Sequence, residues 1–144
     1  MSVTTTLHVN LRGQAAEALS FYHSVFGGDM VAVPYGDTDS GQAPGQAEQI
    51  VWGEVRSPDG FHVMAYDIQD SLPYAAGENA FYLSLRSEDA ELIQRVGGAL
   101  AASEGATVHV PFGPSMFSPL YGKLTDRFGV TWIIDVIVPW QTGA

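Results

Sequence analysis

Apolar and polar positions alternate early in the chain: Leu7, Val9 and Leu11 are apolar, while Thr6, His8 and Asn10 are polar. A period of two predicts a strand with one buried and one open face. The period then changes. Over about residues 14–26, Ala15, Leu19, Tyr22 and Phe26 recur at helical spacing with Ala18 and Val25 beside them, which predicts an amphipathic helix. Gly27-Gly28 marks its end, because glycine takes the backbone conformations found past a helix C-terminus. Residues 29–35, 49–57 and 61–67 predict three strands, with Ser57-Pro58-Asp59-Gly60 as the turn between the last two. The stretch 36–47, rich in Gly, Ser, Asp, Pro and Gln, predicts a long loop, and loops of that length are often functional.

The same scheme returns further along. Leu7 to Arg12 lies over Phe81 to Arg86, and Ala16-Glu17-Ala18-Leu19 over Ala90-Glu91-Leu92-Ile93, both 74 positions on. Gly28 to Pro34 matches Gly105 to Pro111 at 77, and Trp52-Gly53-Glu54-Val55 matches Tyr121-Gly122-Lys123-Leu124 at 69. Four blocks in order, with gaps only at loops and helix ends, indicate an internal duplication. The offsets predict a second helix, about 88–102, three residues longer than the first, with Ser87 as its cap. Strands are expected at about 106–111, 119–126 and 130–138, with Asp126-Arg127-Phe128-Gly129 as a turn. Residues 5–71 and 79–138 thus predict two βαβββ units, sharing one core in a single α+β domain over 1–144. A ferredoxin-like fold, with one strand pair per helix, is the competing arrangement.

Composition narrows the function classes. With 46% apolar residues the 144-residue chain can bury a core. Sixteen acidic against six basic residues, a formal charge of −10, lack the basic footprint that nucleic acid or an anionic membrane requires. That balance favours solubility, or cationic small ligands. Cysteine is absent, which excludes disulfides, thiolate metal sites and cysteine nucleophiles. No apolar run reaches the ~18 residues of a membrane helix, and the opening residues lack the pattern of a signal peptide. A cytoplasmic protein is expected.

The run Leu11 to Gly28 and the run Tyr121 to Trp132, with Gly-x-x-x-Asp-Arg-Phe-Gly-Val-x-Trp inside it, carry a resemblance. Together with the duplicated βαβββ unit they make the chain similar to the vicinal-oxygen-chelate superfamily of glyoxalases, bleomycin-resistance proteins and extradiol dioxygenases, in its PhnB-like branch. The resemblance covers residues 5–138. It implies curved sheets around a cavity, a homodimer, and in many members a divalent metal held by histidines and carboxylates of the first and a late strand in each unit. Matched onto this chain, it puts His8 at a first-strand ligand place, Tyr82 where a second histidine is wanted, and Asp135 beside a carboxylate ligand. Ala65 or Tyr66 occupies the remaining place.

Only His8 and Asp135 therefore have ligand chemistry, whereas a catalytic metal usually takes about three protein ligands. The expected site is a small-molecule cavity lined by His8, Asn10, Trp52, Glu54, Tyr82, Tyr121 and Asp135, with no catalytic metal and no cofactor assigned. The alternative is a divalent-metal-dependent lyase, isomerase or dioxygenase using His8, Asp135 and a further ligand such as Glu54 or Asp67. Strand parity turns His8, Asn10, Tyr82 and Ser84 away from the helices, while the facing of His62, Met64 and Tyr66, and of Thr131, Ile133 and Asp135, stays open. His8 reads either as a ligand contact or as a strand residue hydrogen-bonded to Tyr82. His23 and His109 read as surface or edge residues, and Ser115 and Ser118 have no base to make either a nucleophile.

Overall fold

A computed structural model describes residues 2–38 and 44–139, so part of the expected 36–47 loop, residues 39–43, lies outside the described residues. The chain divides into two compact units at Ala76/Gly77. The first contains β1 (Leu7–Leu11), α1 (Ala15–Phe26), β2 (Asp29–Pro34), a short 3-10 turn (Tyr35–Asp37), β3 (Ile50–Arg56) and β4 (His62–Asp67). The second contains β5 (Leu83–Ser87), α2 (Ala90–Ala102), β6 (Thr107–Gly113), β7 (Tyr121–Thr125) and β8 (Thr131–Val136). Each forms a four-stranded sheet, ordered β1-β4-β3-β2 and β5-β8-β7-β6. The first strand of each unit runs parallel to the last, and the other pairs are antiparallel. Three strands follow each helix, which rules out the ferredoxin-like arrangement.

Alternation decides which face each helix covers. In the first unit Val9, Leu11, Val55, Val63 and Ala65 are buried together with Ala15, Ala18, Leu19, Tyr22 and Phe26 of α1. Gly53 lies so close beneath α1 that an added Cβ would stand 2.4 Å from Leu19 Cδ1. In the second unit Leu124, Trp132, Ile134 and Val136 are buried with Ile93, Val96 and Leu100 of α2. Each fully buried large side chain here contributes about 1.5–3 kcal/mol.

The two helix starts are built differently. Ser87 is the last residue of β5 and not the cap of α2; its Oγ accepts the Asp89 N–H at 3.0 Å. Asp89 is the cap, with Oδ1 accepting the Leu92 N–H at 3.2 Å, because the helix starts at Ala90, two residues later than expected. Helix α1 has no side-chain cap of its own. Its first amides are served by Asp67 at the end of β4, whose Oδ1 accepts from Gly13 N at 2.7 Å and Ala15 N at 3.0 Å. The other oxygen accepts from Ile50 N at 2.9 Å. Asp67 is 1% exposed, and three backbone donors leave it no role as a metal ligand.

The helix lengths also depart from the expectation of a three-residue difference. Helix α2 has 13 residues against 12, and the rest of the insertion falls in the turn after it, Ser103–Ala106. After α1 the chain turns within Gly27-Gly28, where Gly28 has φ +88° and an added Cβ would meet Arg56 O at 2.1 Å. His23 supports this end, its Nε2 hydrogen-bonding Gly28 O at 2.9 Å.

The Tyr121–Trp132 signature proves to be a folding device. Asp126, 3% exposed, accepts from Phe128 N at 2.9 Å and Val130 N at 3.1 Å on Oδ1. Its Oδ2 takes the Trp132 indole N–H at 3.0 Å. Gly122 makes room for the Phe112 ring, which a Cβ would approach to 2.8 Å.

Candidate functional site

Because α1 and α2 each cover one sheet face, the other faces carry the candidate residues. On the first unit this open face holds His8 and Asn10 of β1, Met64 and Tyr66 of β4, and Trp52 and Glu54 of β3. Buried Val63, Ala65 and Asp67 alternate with half-buried His62, Met64 and Tyr66, which settles that this set faces away from α1. His8 stands opposite Met64, and Asn10 opposite Tyr66. His8 Nδ1 hydrogen-bonds Asn10 Oδ1 at 2.7 Å, and its ring meets Tyr66 edge-on at 5.2 Å between centroids. His8 and Asn10 are exposed, and Trp52 is 40% exposed.

Glu54 belongs to a separate chain of hydrogen bonds. Its Oε2 lies 2.6 Å from His62 Nε2 and 3.8 Å from Arg56 Nη2. His62 Nδ1 in turn lies 2.7 Å from Thr6 Oγ1. At one end of the same unit, Tyr35 is fully buried and donates to Asp67 O at 2.6 Å. Burial, followed by the nearby Tyr66, Asp67 and Asp70, pushes its phenol above the ordinary value.

On the second unit the corresponding face holds Ser84 and Arg86 of β5, Thr131, Ile133 and Asp135 of β8, and Tyr121, Lys123 and Thr125 of β7. Asp135 stands between Arg86 and Tyr121 in the strand register. Its carboxylate, 11% exposed, is gripped by a fork: Arg86 Nε donates to Oδ1 at 2.9 Å and Nη2 to Oδ2 at 3.2 Å. That hydrogen bond, reinforced by the charge of Asp135, raises the Arg86 pKa further above its usual value. Tyr82, just before β5, is 40% exposed and donates its O–H to Asn79 Oδ1 at 2.8 Å. Lys123 Nζ lies 4.6 Å from the centre of the Tyr82 ring and 3.4 Å from its hydroxyl. Tyr121 packs edge-on against Phe117, which is 70% exposed.

The structure thus groups His8 with Asn10, and aligns Tyr121 with Asp135, while Glu54 is committed to His62 and Trp52 lies outside both polar groups. Arg86 and His62 are the functional-type residues that the sequence reading did not select. Arg86 continues the parity of Tyr82 and Ser84, a signal present in the sequence, but the register makes Asn10 its repeat mate and not Arg12, since Asn10 stands opposite Tyr66 as Arg86 stands opposite Asp135. His109, Thr125 and Thr131 form an outlying chain, with 2.8 and 2.7 Å links. Ser115 accepts from Phe117 N and Ser118 N, and Ser118 donates to Val136 O, so both serines shape the loop before β7.

The donor set fits a catalytic divalent metal poorly. Both oxygens of Asp135 already accept from a guanidinium, and Asp67 is consumed by backbone amides. The expected match of His8 with Tyr82 is shifted by two residues: His8 stands opposite Met64 as Ser84 stands opposite Ile133, so the repeat mate of His8 is Ser84, a weak ligand, and Tyr82 precedes β5. Among the described residues no three His, Asp or Glu side chains gather as a metal-binding group.

Known proteins share this architecture. A Pseudomonas aeruginosa protein of known structure, PA1353, aligns over 94% of this chain and 98% of its own, at 29% identity and a TM-score of 0.81. The PhnB protein of Bacillus cereus shares the fold at 24% identity and a TM-score of 0.65, over 93% of this chain and 99% of its own. The Escherichia coli protein YjdN is 25% identical over 140 residues, 90% of this chain and 92% of its own length. No helix among the described residues is long and apolar enough to cross a membrane. The family model of the Glyoxalase/Bleomycin resistance protein/Dioxygenase superfamily matches residues 7–134, from the first residue of β1 to the core of β8, and the chain belongs to that superfamily.

Proposed function

We propose that this chain is a PhnB-like, small-molecule-binding member of its superfamily, holding its ligand against the open sheet faces without a catalytic metal. The observation that carries this reading is the Arg86–Asp135 fork, which commits the carboxylate beside the family's ligand place to a cation of the chain itself. Aromatic side chains with a few polar groups are the usual lining of small-molecule sites; the open face of the first unit offers His8, Asn10 and Tyr66, and that of the second, taken by itself, Tyr82 and Tyr121. A soluble cytoplasmic protein accords with the acidic charge and the absence of cysteine.

The test is a thermal-shift screen of a ligand library with and without divalent metals, on protein purified without chelator. The expected result is ligand-dependent stabilisation that needs no added metal and is altered in His8→Ala, with metal content unchanged and well below one per chain. Stoichiometric Zn, Ni, Mn or Fe, lost together with turnover in His8→Ala, would establish the metal-dependent lyase, isomerase or dioxygenase instead.

The chain is further proposed to act as a homodimer, with no nucleic acid or membrane partner. Besides the resemblance, the support is physical: among the described residues the outer strands of each sheet pair with a strand on one side only, and Val108, Val110, Met116 and Phe117 are exposed apolar side chains. Light scattering at micromolar concentration should give about twice the 15.4 kDa chain mass. A monomer mass throughout that range would refute it.

A further inference from the structure

The open face of the second unit has a charge character opposite to that of the chain. Only six of the residues are Lys or Arg, against sixteen Asp or Glu, yet two of the six, Arg86 and Lys123, lie on this one face. On β5, β8 and β7, Asp135 is the sole acid of that face. The first unit differs at the equivalent place, where Glu54 stands in the position of Lys123, 69 residues on.

We propose that this face binds a negatively charged oxygen group of the ligand, a carboxylate or phosphate, between Arg86 and Lys123. The assignment rests on the small-molecule reading above and names the ligand class. It replaces the expectation of a cationic ligand, which followed from net charge alone; a bound group responds most to the charges within a few ångströms.

Strand β8 lies between β5 and β7, so both cations flank its Ile133–Asp135 stretch. Arg86 is in the row of Asp135 and Tyr121, and Lys123 in the row of Ile133 and Ser84. Two strand spacings and a two-residue offset put their Cα atoms roughly 12 Å apart. Two long side chains can close on one bound anion across that distance. Lys123 already extends from β7 over β8 to the Tyr82 ring at the start of β5. It has no carboxylate partner among the described residues, only the ring and hydroxyl of Tyr82.

Arg86 is held ready by Asp135. A guanidinium has five N–H donors, and the fork uses two of them, which leaves three for a ligand. Fixing the arginine before binding removes part of the ordering cost that a free surface arginine would incur. Asp135 is thus a positioning residue, and Tyr82 and Tyr121 flank the anion with aromatic surface.

The experiment titrates the full chain by calorimetry with two probes that share a ring and differ in charge, phenyl phosphate and benzyltrimethylammonium. Phenyl phosphate is expected to bind and benzyltrimethylammonium not to. Lys123→Gln should weaken phenyl phosphate about tenfold, the usual order for one charge-assisted hydrogen bond. Arg86→Gln alone would strand a buried carboxylate, so Arg86→Gln is combined with Asp135→Asn, with an expected loss of tenfold or more. Arg86→Lys should recover only part of it, because a lysine cannot make the fork. Phenyl phosphate binding that is unchanged in both variants overturns the assignment. So does preference for benzyltrimethylammonium, or no binding of either probe; in those cases the library screen decides the broader reading separately. Stoichiometric metal with His8-dependent turnover would sink the broader reading itself.

Discussion

Asp67→Ala is expected to lower the stability of the protein by about 3–5 kcal/mol, enough to shift thermal unfolding by ten degrees or more. The substitution removes one side chain but leaves three backbone amides, of Gly13, Ala15 and Ile50, without their acceptor. Two belong to the approach and first turn of α1, which has no side-chain cap to take over. The third belongs to the start of β3. Each stranded donor costs about 1–3 kcal/mol where it stays buried, and partial access of water at Gly13 keeps the sum below the maximum. Asp67→Asn retains one acceptor oxygen and should cost distinctly less. Denaturant melts of the three proteins check the ordering; equal stability of Asp67→Ala and the parent would remove Asp67 from the fold's supports.

The second large effect is expected at Trp132. Trp132→Ala opens the largest cavity available in the second unit, since this side chain is fully buried against α2, and such truncations cost about 3–5 kcal/mol. It also deprives Asp126 Oδ2 of the indole donor at 3.0 Å. Trp132→Phe separates the two contributions: it keeps most of the ring volume, loses the N–H, and should cost about 1–3 kcal/mol. A double-mutant cycle with Asp126→Asn should show coupling between the two sites. Additive effects in that cycle would mean that the indole bond contributes nothing beyond packing.

These two residues also mark how far the sequence could be read. Leu7, Val9 and Leu11 against His8 and Asn10 gave the facing of β1 directly, because period and burial coincide there. The duplication supplied element order and the three strands after each helix. The facing of β4 was not legible, since Met64 and Tyr66 on the open face are hardly more polar than Val63 and Ala65 beneath the helix. Asp67 and Asp135 were equally opaque. What a carboxylate does depends on which donors the fold delivers to it, and those of Asp67 come from residues 13, 15 and 50, while that of Asp135 lies 49 positions away on β5. Ser87 and Asp89 are both good helix starters two residues apart, so only the point where β5 ends could choose between them.

The anchoring carboxylates bear on how the two halves relate. At the 69-residue offset, Asp67 corresponds to Val136 and Asp126 to Ser57. The buried clasps therefore differ: the first half ties its helix start to its last strand through Asp67, where the second has Val136, and the second ties its final hairpin to its own tryptophan through Asp126, where the first has only Ser57, whose Oγ accepts the Phe61 N–H at 3.1 Å. The repeated backbone path is a symmetry of geometry and not of energetics. Neither half is a spare copy of the other, and a tandem of two identical halves would double one of these carboxylate clasps and lack the other. Divergence after duplication has thus given the halves different buried anchors while leaving their strand order alike.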